Sequence, residues 1–254
     1  MENYFGDANY SFSLKHAAII DRSQRAGQQV CVSILSCPDY VAHHRNDSTI
    51  EQVNGNIPLK TQQRIEFAEA CFPEAEVRVL FADSEILHKG KISDEGNFMR
   101  ALETSKLRVA TKYGGRIETS SFFELAGGRQ NFEVLTDYFY ERLLEAVQGG
   151  GSLSRMLQDE VSRTLQNLSA REVLDLPSRQ ELGSRILKNS FAEFLAIGEL
   201  LRSESSPDGT SAHTIIFDAS RVTSMLNEGY RFGSELRPGL APLPLILANP
   251  HPTV

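Results

Sequence analysis

The sequence predicts an α/β fold, a parallel sheet flanked by helices. Two short apolar runs, 28–35 (QQVCVSIL) and 76–82 (EVRVLFA), have the Val and Leu content of fully buried strands. Between them, Ile65, Ala68 and Phe72 stand at helical spacing. Strand, helix, strand in that order makes a parallel unit with a right-handed crossover, the building block of a Rossmann-like sheet.

In chain order, the first periodic segment is 14–25, with Ala17, Ala18, Ile19 and Ile20 on an apolar face and Gly27 as C-cap. The strand at 28–35 follows, bounded by Pro38. Residues 36–57 show no clean period and carry Pro38, His43, His44, Asn46, Asp47 and Gly55; a connection of this length is usually functional or mobile. A helix over 60–72 stops at Pro73, and the second strand covers 76–82. Residues 94–112 read as a helix ended by Gly114-Gly115, and 132–147 as another ended by Gly149-Gly150-Gly151. That glycine run reads as a hinge: no strand precedes it and no Lys-Ser/Thr follows, as a phosphate loop requires.

From 152 to 203 the pattern is helical, broken at Pro177. Leu182, Ile186, Phe191, Phe194, Leu195 and Leu201 form its stripe for burial. A loop over 204–211 leads to a late strand at 213–217 (HTIIF). The tail carries Pro238, Pro242, Pro244, Pro250 and Pro252 and is expected to lack regular structure. No repeat or linker divides the chain, so one α/β domain over 1–254 is expected.

Bulk properties narrow the function classes. A net charge of -7, from 33 acidic and 26 basic residues, argues against a protein that coats nucleic acid over its whole surface, while leaving room for a local basic patch. Cys31, Cys37 and Cys71 form no C-x-x-C pair, so neither a disulfide framework, a zinc site nor a redox motif is expected. No apolar run reaches the roughly 18 residues of a membrane span. The polar, acidic start MENYFGDANYSF is unlike a signal peptide, and a cytoplasmic protein is expected.

Ligands of open parallel sheets gather at the carboxyl ends of the strands. Two loops are therefore nominated: Ser36, Cys37, Asp39 and Tyr40 after the first strand, and Asp83, Ser84 and Glu85 after the second. Ser36 is a candidate acyl acceptor, and Cys37 is the rival nucleophile where its thiolate is stabilised. The competing role for Ser36 and Asp39 is to cap a turn around Pro38. Asp83 and Glu85 suit an amine, a guanidinium, a metal or acid–base work, or else N-capping or surface solvation. Glu199 lies among Phe194, Leu195, Ile197, Leu200 and Leu201, so turned inward its carboxylate needs a partner; Glu193 is read as the exposed one. His43 and His44 with Arg45 match no metal-ligand spacing. Lys106, Arg108, Lys112 and Arg116 make a basic stretch without an acidic residue, with Tyr113 available to stack. It serves either the dipole of a helix end or a phosphate backbone.

Ser33-Ile34-Leu35-Ser36-Cys37-Pro38-Asp39-Tyr40, the strand closing on Ala82-Asp83, the basic helix, and the Phe-Leu-x-x-x-Glu-Leu stretch from Phe194 to Leu200 together resemble the tRNA-dependent cyclodipeptide synthases. The fungal arginine-using branch is named first. The resemblance implies the catalytic-domain fold of class I tyrosyl-tRNA synthetases, Ser36 as acyl carrier, and Glu199 as the late carboxylate. It also implies Lys106, Arg108 and Lys112 as tRNA contacts. The family's glycine before the serine is absent, Ile34 and Leu35 standing there, and so is its tyrosine before the late glutamate.

The expectation is an aminoacyltransferase that builds a cyclic dipeptide from aminoacyl-tRNA through an acyl-enzyme. An aminoacyl ester is already activated, so neither a cofactor nor a metal is required. Asp39, Tyr40, Asp83 and Glu85 are the expected substrate contacts. Two other classes stay open: a Rossmann-like small-molecule or nucleotide-binding enzyme using Cys37 or a carboxylate, and a non-enzymatic partner-binding protein using the helices of 152–203.

Overall fold

The computed structural model describes residues 24–27, 29–36, 39–41, 52–88, 92, 94–170, 176–203, 211–218 and 245–248. The helix expected over 14–25 lies outside these residues except at its last two, as do Cys37, His43, His44 and the loop 204–210. The sheet strands are β1 (Gln29–Ser36), β4 (Glu76–Phe81), β5 (Ile117–Ser121), β6 (Ser211–Asp218) and β7 (Leu245–Ala248). Their spatial order is β5-β4-β1-β6-β7 and every pairing is parallel, which makes a Rossmann-like sheet with β1 at its centre. Every residue of β1 from Val30 to Ser36 is buried, as expected of a strand covered on both faces.

Alternation along the strands divides the core in two. Val30, Val32, Ile34, Val77, Val79 and Phe81 face α1 (Leu59–Cys71) and α2 (Glu95–Lys112), packing on Ile65, Ala68, Phe98, Leu102 and Val109. Leu35 and Leu80 face the other way, toward α3 (Phe122–Leu125), α4 (Arg129–Gln148), α5 (Ser152–Ala170), α6 (Arg179–Ile186) and α7 (Glu193–Ser203). Asp94 caps α2 through Asn97 N, 2.9 Å. Gly114 and Gly115 turn the chain out of α2 at φ 64° and 72°, where a side chain would be strained.

Three elements depart from the sequence reading. The loop after β1 contains a two-stranded antiparallel ribbon, β2 (Asp39–Val41) with β3 (Gln52–Asn54). β5 is polar (IETSS), tolerable because it lies at the sheet edge. The tail, expected to be irregular, contains β7. It begins directly after Pro244 and lies at the opposite edge, where proline next to a strand costs little.

Candidate active site

The chain runs from β1 to β4 and β5 on one side of the sheet, then returns to place β6 on the other side of β1. The carboxyl end of β1 is therefore the switch point at which doubly wound sheets open a crevice. Ser36 is its last residue. Its carbonyl accepts from Ala82 N at 2.9 Å, and its register partner is Phe81, so the first two strand exits are neighbours.

Parity turns Ser36 toward α1. The Ser36 hydroxyl is buried and lies 2.8 Å from Thr61 Oγ1, in the first turn of that helix. Arg64 Nη1 donates to Leu35 O at 2.7 Å and fixes the strand exit. Pro58 at the N-cap offers no side-chain acceptor to the first N–H groups of α1. A serine oxygen beside such a helix start meets partial positive charge suited to a developing oxyanion.

The second exit is a 3-10 helix, Asp83–Leu87. Asp83 is buried and accepts from Phe123 N at 3.1 Å, holding the start of α3. Burial pushes its carboxyl up to about 6, against the bonds from Ser121 and Phe123 and the charge of Lys106. Asp83 thus has its partner in Phe123, whereas the Ser36 hydroxyl has its own in Thr61. Asp39 and Tyr40 lie in β2, and their side chains fall outside the described residues.

Beyond Asp83 the site gathers groups from distant segments. Glu193, at the start of α7, is buried. Its Oε2 accepts from Ser84 Oγ at 3.2 Å and its Oε1 lies 2.8 Å from His88 Nε2. The other ring nitrogen of His88 lies 3.4 Å from Glu85 Oε2. Burial opposes charge on the ring, but the bonds to Glu193 and Glu85 outweigh it and raise His88 to about 9. Burial raises the Glu193 carboxyl too, with His88 pulling the other way. His88 and Glu193 line a cleft of about 1000 Å³ between the β4 exit, α4, α6 and the π-helix Leu187–Ala192.

The burial expected of the two late glutamates is reversed here. Glu193, read as exposed, is the buried member of the pair, whereas Glu199 is only half-buried. Apolar neighbours in sequence do not say which way a helical residue points. The usable signal was spacing: Glu193 stands seven residues after Ile186 and four before Ile197, on one helical stripe. Its partner His88 had no signal in the sequence, being 105 residues away.

The basic stretch is divided as well. Lys106 is buried and paired with Glu124 (2.7 Å) and Glu103 (2.9 Å). Despite some burial, those two bonds raise Lys106, and Lys106 lowers Glu124. Arg108, Lys112 and Arg116 are exposed, bonded to Asn56, Gln62 and the Tyr113 carbonyl. Tyr113 is buried, so its ring is not free to stack on a base.

No protein-family model and no curated protein matches the chain. Solved structures similar to it include a CDPS from Fluoribacter dumoffii, with 11% identity, a TM-score of 0.49, and 86% of this chain and 89% of that one covered. A tyrosyl-tRNA synthetase complexed with L-tyrosine from Archaeoglobus fulgidus is similar at 11% identity and a TM-score of 0.49, covering 96% of this chain and 61% of that one. A CDPS from Staphylococcus haemolyticus is similar at 11% identity and a TM-score of 0.45, covering 95% and 97%. Similarity at this level transfers no residue role. Among the described residues, no helix is long and apolar enough to cross a membrane, and no group of His, Cys, Asp and Glu is placed to hold a metal.

Proposed function

We propose that this chain is an aminoacyltransferase that takes aminoacyl groups from aminoacyl-tRNA and joins two of them into a cyclic dipeptide. The supporting observation is Ser36: it ends the central strand at the switch point, against the uncapped first turn of α1, next to the exit that leads to Glu193. The sequence resemblance around Ser33–Tyr40 supports the same reading.

In the first step, Ser36 Oγ attacks the ester carbonyl of the aminoacyl-tRNA. A C–O bond to the serine forms and the C–O bond to the tRNA ribose breaks. The serine proton passes to the ribose oxygen, and N–H groups at the start of α1 hold the oxyanion. In the next step, Glu193 accepts a proton from the ammonium of the second aminoacyl group, and the freed amine attacks the acyl carbon. The C–N bond forms, the bond to Ser36 breaks, and one of the two amine protons returns to the serine oxygen, leaving a dipeptidyl ester on the second tRNA. The amine of the first residue, freed of its extra proton, then attacks that ester carbonyl: the second C–N bond forms, the C–O bond to the ribose breaks, an amine proton passes to the ribose oxygen, and the cyclic dipeptide and tRNA part. In this reading the exposed Arg108, Lys112 and Arg116 meet the tRNA phosphates, and the mechanism needs no cofactor and no metal. We assign the late carboxylate to Glu193 in place of Glu199 because Glu193 lines the cleft.

The narrower version, arginine as one of the joined residues, rests on the resemblance and on the carboxylates at the strand exits, Asp39, Asp83 and Glu85. Asp83 is engaged by Phe123 N and Glu85 by His88, which leaves Asp39 and Tyr40 as its contacts. Expression in a bacterial host followed by mass spectrometry of the medium tests the function. Cyclic dipeptides are expected from the wild type and are lost in Ser36→Ala and Glu193→Gln variants that remain folded. A wild type that releases none in a host supplying every aminoacyl-tRNA overturns the reading. One observation favours a second reading, a small-molecule enzyme centred on His88 and Glu193: Ser36 does not line the cleft. Retained activity in Ser36→Ala would select it.

A further inference from the structure

We propose that His88 is a positioning residue that fixes the plane of the Glu193 carboxylate and opposes its protonation, with Glu85 beside the other ring nitrogen. The proposed chemistry of Glu193 rests on the aminoacyl-transfer reading; the geometry does not. The Glu193 carboxyl is engaged on both oxygens, by Ser84 and by His88, so its plane has no freedom to turn. His88 in turn has a carboxylate near each ring nitrogen, Glu193 at 2.8 Å and Glu85 at 3.4 Å, and its side chain is 12% exposed. A histidine between two carboxylates in a partly dry site keeps its proton, and that charge favours the ionised form of its neighbour.

The other charged groups of the cleft do not compete for this role. They come from three elements and neutralise one another: Arg129 pairs with Glu133 on α4, Arg185 with Glu181 on α6, and Lys188 of the π-helix reaches Asp137 of α4 at 2.7 Å. Glu85 and Glu193 remain as the charges that His88 meets directly. The three acidic and basic groups of the cluster come from two segments, 85–88 and 193, so the cluster exists only when the 3-10 helix and α7 are docked. The high His88 value and the opposing effects on Glu193 agree with this arrangement.

His88→Gln is the informative variant, because a glutamine amide can still donate to Glu193 Oε1 but carries no charge. Carboxyl carbon NMR of glutamate-labelled protein should place the Glu193 titration higher in His88→Gln than in the wild type, by about one to two pH units. The acidic limb of the pH–rate profile for cyclic dipeptide formation should move with it. The alkaline limb near 9 should vanish. If Glu193 titrates at the same pH in both proteins, the proposal is overturned. Glu85→Gln provides an independent check if His88→Gln does not fold: the His88 ring signals should titrate lower than in the wild type, and an unchanged midpoint overturns the proposal. The carboxyl titration requires no turnover. A protein that makes no cyclic dipeptide but shows the shifted Glu193 titration therefore rejects the function and retains the positioning role.

Discussion

Replacing Asp83 with asparagine should stabilise the protein at neutral pH, although Asp83 is buried and hydrogen-bonded. Its carboxyl sits at about 6 in the folded state against 3.8 when unfolded, a difference of about two units. At ~1.4 kcal/mol per unit, holding the ionised form in the interior costs about 3 kcal/mol. Below pH 3.8 the group is protonated in both states and the cost is absent. Through the window up to about 6 the folded state binds more protons, so stability falls as pH rises. Above about 6 the full cost is present. Asparagine keeps a carbonyl oxygen for Phe123 N–H and carries no charge. Urea unfolding of both proteins at pH 4, 5, 6, 7 and 8 should show near-equal stability at pH 4 and an advantage for Asp83→Asn approaching ~3 kcal/mol at pH 8. A stability difference that does not vary with pH would refute the reasoning. Asp83→Ala removes the same charge but also leaves the Phe123 N–H without its acceptor, so it should be about 1–3 kcal/mol less stable than Asp83→Asn at every pH.

Gly55→Ala should destabilise by about 1–3 kcal/mol in denaturant melts, because an added Cβ would lie 2.5 Å from Thr104 Cβ on α2. Phe132→Ala should cost about 3–5 kcal/mol, since that fully buried ring packs against Phe122 and Phe123 at 5.8 and 5.7 Å. Lys106→Met should leave the salt dependence of tRNA binding unchanged, its side chain being turned inward. Combined Arg108→Gln, Lys112→Gln and Arg116→Gln should reduce the slope of log affinity against log salt by roughly one for each phosphate no longer neutralised, measured by filter binding.

The parallel core was legible because its strands are covered on both faces and so appear as apolar runs. Val30–Leu35 and Val77–Phe81 needed no partner to be recognised. β5 and the ribbon of Asp39–Val41 with Gln52–Asn54 were not legible. Their residues are polar or too few for a period, and only pairing with strands already in place makes them extended. The site divided along the same line. Ser36 follows from its place at a strand end. Glu193 and His88 become a pair only once α7 packs over the β4 exit, and no local pattern encodes a contact across a hundred residues. Lys106 shows the converse: a run of basic residues along the sequence is a stripe in space only if the helix turns them all outward, and on α2 this one is buried while Arg108 and Lys112 are exposed.

The pairing of β1 with β6 joins Gln29 to Ser211. While the ribosome is still making the helices between them, β1 has a neighbour on one side only. Its other row of amides and carbonyls waits for most of the chain to be synthesised. Any truncation upstream of 211 would leave that hydrophobic central strand bare along one flank. Nascent or shortened chains are therefore the forms in which self-association through β1 should be sought, and slow closure by the last two strands should limit the rate of folding.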